Sequence, residues 1–249
     1  MTIREEIKRE RKKFLATATP KEKWSYFCDY YGLMTIAIIV IAIMATYVIV
    51  DTVTRPEVVL NGAFINLASD RAHHADELGD AFLTDQKIDT KEYGVSFGTG
   101  LTIIASDSTA SYESSQAMMT QAAAGTLDFI TGPGKVLLDY AYGGLFEDLS
   151  TVLTEDELEL YKPYLHYIDE AVVELRQERE DALESSADIK IPDSQKPEDM
   201  ERPIPVFIDL NGNKKMSSVY GNTTGLIIGV SVNAPNPEAL HNFINYLQN

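Results

Sequence analysis

Between residues 30 and 50 the chain reads YYGLMTIAIIVIAIMATYVIV, without a formally charged position. At about 1.5 Å per residue a helix of that length spans roughly 30 Å, the thickness of a bilayer's hydrocarbon core, so the pattern predicts a membrane-spanning helix over 30–50. A buried core helix of this length would show a polar stripe, yet the polar side chains between 33 and 50 are Thr35, Thr46 and Tyr47 alone. A cleaved signal peptide would end in a small-x-small site, whereas this run ends in Tyr47, Val48, Ile49 and Val50. Ahead of it, residues 3–14 form a charged helical pattern. Thr19, Pro20 and Glu22 then make a capping box that starts a helix leading into the span.

Past the span the pattern changes to short apolar runs alternating with amphipathic stretches. Residues 51–56 read as a tether and 57–249 as one domain. Strands are predicted over 58–67, 93–104 (interrupted by Gly94, Gly98 and Gly100), 127–130, 204–210 and 224–232. Helical spacing covers 70–84, 112–124, 135–142 and 168–183, and a last helix from Asn236 carries the stripe Leu240, Phe243, Ile244 and Leu247. Thr154 and Glu157 form a second capping box, whose helix Pro163 ends. Residues 184–203, rich in Pro, Ser and acids, read as a mobile acidic loop. Strands alternating with helices predict an α/β domain with a largely parallel central sheet.

Charge gives the span a direction. The total is −17, but residues 1–31 hold eight basic side chains (Arg4, Lys8, Arg9, Arg11, Lys12, Lys13, Lys21 and Lys23) against five acidic ones. Lys and Arg near a span stay on the cytoplasmic side, so 1–29 is expected inside the cell and 51–249 outside. Trp24, Tyr26, Phe27, Tyr30 and Tyr31 form an aromatic belt at the inner interface. The acidic remainder repels phosphate backbones, which argues against a nucleic-acid partner. The single cysteine, Cys28, precedes the span, so the exported part is expected to rely on packing without disulfides.

Motifs for catalysis are lacking: there is no G-x-S-x-G elbow, no HExxH and no Cys-rich spacing. His73 and His74, with Asp76 and Glu77 nearby, raise the question of a metal. Adjacent helical residues point about 100° apart, so the two imidazoles are not expected to face one ion, and neither a metal nor a cofactor is predicted. Gly132-Pro133-Gly134-Lys135 lacks the phosphate-loop pattern, having Phe129 and Val136 at two of its defining positions, and reads as a strand-to-helix turn. An open α/β sheet binds ligands beyond the carboxyl ends of its strands. The loops expected there are 66–70, 106–111 and 131–135, with Ser69, Ser108, Thr109, Thr131 and the backbone at Gly132 as candidate ligand contacts.

Two pieces resemble extracellular solute-binding proteins of bacterial ABC transporters. One is Gly125-Thr126-Leu127-Asp128-Phe129-Ile130 followed by Tyr140-Ala141-Tyr142-Gly143-Gly144-Leu145-Phe146-Glu147-Asp148-Leu149, and the other runs from Ile228 through Asn236-Pro237-Glu238-Ala239-Leu240. The Thr19-to-Trp24 stretch and Tyr30-Tyr31 also resemble single-pass membrane proteins of Gram-positive bacteria. The resemblance implies one lobe of a periplasmic-binding-protein-like fold, with residues 155–203 standing where a second lobe would face it. The expectation is a non-catalytic module anchored in the lipid bilayer through 30–50 that engages a small solute or a membrane-protein partner. The alternative is a structural or accessory subunit of an envelope or transport complex, acting through protein contacts.

Overall fold

Reciprocal capping starts the long helix where the sequence indicates. In the computed structural model, which describes residues 3–104, 109–186, 188–192 and 196–248, the Thr19 amide donates to Glu22 Oε2 at 2.8 Å and the Glu22 amide donates to Thr19 Oγ1 at 3.4 Å. The chain divides into two units, Met1–Arg55 and Pro56–Asn249. The first holds α1 (Ile3–Thr17) and α2 (Pro20–Thr54). Within α2 the twenty residues Tyr31–Val50 are long and apolar enough to cross a membrane, none is buried, and no other helix among the described residues meets that test. The Thr46 hydroxyl donates to the Ala42 carbonyl at 2.8 Å, which satisfies a polar group inside this apolar stretch.

The second unit is built on one mixed sheet. Its strands are β1 (Glu57–Phe64), β2 (Tyr93–Gly98), β3 (Phe129–Pro133), β4 (Leu165–Asp169), β5 (Pro203–Asp209) and β6 (Leu226–Val230), in the order β2-β1-β3-β6-β5-β4. Alternation assigns the faces. In β6, Leu226, Ile228 and Val230 enter one core and Ile227 enters the other, as a period of two requires. The first core packs under α3 (Ala72–Asp85), α6 (Glu155–Tyr161), α8 (Lys214–Tyr220) and α9 (Pro237–Gln248). The second packs under α4 (Thr109–Ala123), α5 (Gly134–Tyr142) and α7 (Glu170–Asp181). The result is a three-layer α/β/α arrangement.

The expected largely parallel sheet is corrected. β1 pairs in parallel with β2 and β3, but β3–β6, β6–β5 and β5–β4 are antiparallel. Between β5 and β6 the chain passes through α8 and then Gly221 (φ 77°) and Gly225 (φ 69°), whose left-handed turns return it to the same end of the sheet, so β6 runs antiparallel to β5. The segment read as a helix from Ile168 instead opens with β4, and α7 begins at Glu170 after Asp169 caps it by accepting from the Ala171 amide. Residues 155–203 therefore supply α6, β4 and α7 to the same layers. Among the described residues they do not form an opposing lobe.

Candidate functional site

Strand register brings the ends Phe64, Gly98, Pro133 and Asp209 to one edge of the sheet, together with the starts Leu165 and Leu226. A cleft of about 260 Å³ opens there between the start of α5 and the β5–β6 pair. Leu138, Phe207 and Ile227 make its apolar floor, and Lys135, His166 and Asp209 bring polar groups to its rim. His166 Nε2 lies 3.7 Å from Asp209 Oδ2, while Asp209 Oδ1 accepts from the Asn211 amide at 2.7 Å. Asp209 also lines a neighbouring groove of about 480 Å³ with Tyr164, Asn211 and Lys214. In that groove Lys215 is committed internally: its Nζ donates to the Tyr246 carbonyl at 2.7 Å and stands 4.4 Å from the Tyr246 ring centre. The edge thus offers a cation, an imidazole–carboxylate pair and amide groups beside an apolar floor. That combination is chemically suited to a polar group with an apolar body.

The residues singled out from sequence are scattered with respect to this cleft. Ser69 opens an exposed 3-10 turn and Thr109 is the exposed first residue of α4. Ser108 lies outside the described residues. Thr131 and Gly132 stand inside β3 and not in the turn expected of them. Thr131 is fully buried and its hydroxyl donates to the Ile227 carbonyl at 2.9 Å, so that side chain is closed to a ligand. A Cβ at Gly132 would meet Ile65 Cβ at 2.8 Å, which explains glycine as a packing requirement. His166, Asp209 and Lys135 were missed as a group because the β4–β5 pairing brings His166 to Asp209 and the β3–β6–β5 order brings the start of α5 beside them.

The residues that carry the resemblance act inside the fold. Gly125 adopts φ 63° in ending α4. Asp128 is fully buried and joins the two resembling pieces: it accepts from the Asn236 amide at 2.6 Å, the Asn236 side-chain amide at 3.2 Å and the Asn61 amide at 2.7 Å. Asp148 accepts from the Ser150 amide at 2.8 Å and starts a 3-10 turn that seats the buried Leu149. On the α6–α9 side, Glu157 lies 2.8 Å from His241 Nε2 and accepts from Asn245 Nδ2 at 2.8 Å and from the Thr154 amide at 2.9 Å. Partial burial opposes its charge, but the bonds from Thr154, Asn245 and His241 prevail and hold its carboxyl at about 2. Tyr220 donates to the Ile65 carbonyl at 3.0 Å, and burial pushes its phenol up.

At the start of α3 the structure departs from the geometry expected of His73 and His74. Their ring centres are 3.9 Å apart, and His74 Nδ1 lies 2.8 Å from Glu77 Oε2. One ligand atom from each of His73, His74 and Glu77 falls within 4.8 Å of the others. The 100° between adjacent Cβ directions is overcome by side-chain rotation, since an imidazole reaches well beyond its Cβ.

No family model and no curated protein matches the chain. Two solved structures are similar over part of it. The ABC substrate-binding protein Lmo0181 from Listeria monocytogenes, in complex with cycloalternan, is 13% identical with a TM-score of 0.26, over 49% of this chain and 34% of that one. RafE from Streptococcus pneumoniae, in its apo form, is 14% identical with a TM-score of 0.26, over 56% of this chain and 35% of that one. The chain spans about a third of the length of these two structures.

Proposed function

We propose that the chain is a single-pass, membrane-anchored and non-catalytic binding module whose folded unit, Pro56–Asn249, works outside the cell. The observation that carries this reading is the Tyr31–Val50 stretch of α2, a twenty-residue, uncharged and predominantly apolar stretch of which none is buried. A soluble protein would cover such a surface, whereas a bilayer takes it up. The eight basic residues ahead of the span support an internal N-terminus. The cleft at Lys135, His166 and Asp209 is the proposed place of contact, because it combines an apolar floor with convergent polar groups.

The occupant under this reading is a small polar solute. Thermal-shift measurements on the full chain in detergent, against sugars, amino acids and short peptides, test it. Saturable stabilisation by one class, lost in the Lys135→Ala/His166→Ala double variant, supports a solute. One observation favours a second reading, an accessory subunit that meets a protein at the same edge: β4 belongs to the one sheet, so residues 155–203 leave the cleft without a facing lobe among the described residues. A blank screen combined with a specific crosslink from position 135 to a membrane protein would favour that reading.

A further inference from the structure

We propose that His73, His74 and Glu77 form a binding site for one first-row divalent metal ion, with zinc as its best fit. The ligand set is the first argument. Two imidazoles and a carboxylate are borderline donors suited to zinc, copper or nickel and poorly matched to magnesium or calcium, which take oxygen ligands.

Spacing is the second argument. Glu77 lies four residues after His73 and three after His74, the two separations that place helical side chains on a common face, so one carboxylate serves both imidazoles. The structure already gathers the three donor atoms within 4.8 Å of one another, with the His74–Glu77 pair at 2.8 Å. Zinc bonds of about 2.0–2.1 Å in a tetrahedron set neighbouring donors roughly 3.4 Å apart. Side-chain rotations of an ångström or so at solvent-facing positions therefore close the site without moving the backbone. Zinc takes a neutral imidazole and an ionised carboxylate as ligands, so its binding excludes a proton from the His74 Nδ1–Glu77 contact.

The platform is the third argument. Ala75, Leu78, Phe82 and Leu83 bury the opposite face of α3, so the helix that holds the donors is fixed. Arg71, just ahead of it, donates to the carbonyls of Val219 at 2.6 Å and Ser218 at 2.7 Å, tying the start of α3 to α8. Asp70, Asp76 and Asp80 are exposed on the same segment, and their charge favours a cation there. Three protein ligands leave a coordination position for water or a solute group, the pattern of an open zinc site.

The test is isothermal titration of the tag-free full chain in detergent with zinc chloride, with magnesium chloride as the control. One zinc per chain is expected, with micromolar or tighter affinity and no saturable magnesium binding. Glu77→Gln and His73→Ala should each weaken zinc binding about tenfold or more, with His241→Ala leaving it unchanged. Cobalt added in place of zinc should give visible absorption bands that vanish in His73→Ala/His74→Ala, and circular dichroism should show the variants folded. Absence of saturable zinc binding, or zinc binding that survives the double variant, would overturn the site.

Discussion

Asp128 shows how a residue that carries the family resemblance serves the fold. Its carboxylate is enclosed and receives three N–H groups, two from Asn236 and one from Asn61, so it fastens the start of α9 to the middle of the sheet. Asp128→Ala strands those donors, and a loss of about 2–4 kcal/mol is expected, read as a lower urea midpoint for the full chain in detergent. Glu157 makes a prediction in pH. Its carboxyl ionises at about 2 in the folded protein against an ordinary value of 4.5, so the unfolded chain binds the proton more tightly. Its contribution to stability is complete above about pH 5 and is lost as the pH falls toward 2. On the order of 2–3 kcal/mol is at stake, and Glu157→Gln should flatten that part of the stability–pH curve.

At the scale of elements, the sheet depends on glycines where rings cross it. A Cβ on Gly229 of β6 would come within 2.6 Å of the Phe146 ring and 2.7 Å of the Phe207 ring, which meet edge to face at 4.7 Å. Gly229→Ala should therefore cost about 1–3 kcal/mol, visible as a lower melting temperature. In α2 the expectation follows from the proposed membrane span. Ile41→Arg places a charge near the centre of the apolar stretch and should reduce membrane integration by about 2.5–3.5 kcal/mol, measured as protein released by alkaline extraction. The elements with strong local signals were legible in the sequence: both capping boxes, the apolar stretch of α2, the Gly125 turn and the stripe of α9 form where their residues indicate. β4 and α8 were not. Leu165-His166-Tyr167-Ile168-Asp169 is a five-residue edge strand whose apolar tail merges with the spacing of α7, and seven residues are too few for α8 to show a period. The candidate cleft was hidden for the same reason. Asp209 and His166 are 43 positions apart in sequence and meet only through the β4–β5 pairing, which no local pattern encodes. The His73–His74–Glu77 grouping was hidden differently, since Cβ directions do not report where a long ring ends.

The whole molecule is asymmetric in charge, with a basic N-terminal segment and an acidic folded unit. Residues 32–249 hold thirteen basic against thirty-three acidic side chains, a charge that, under the proposed function, keeps the folded unit clear of anionic surfaces. The chain's single cysteine makes its orientation measurable, because Cys28 is exposed in α2 just ahead of the apolar stretch. The direct test labels intact cells with a membrane-impermeant maleimide, using the native chain and a Cys28→Ser chain carrying Glu238→Cys in the folded unit. With the proposed topology, Cys28 reacts only after the cells are permeabilised, and the cysteine at position 238 reacts in intact cells. Labelling of Cys28 from outside, or protection of position 238 until lysis, would contradict it.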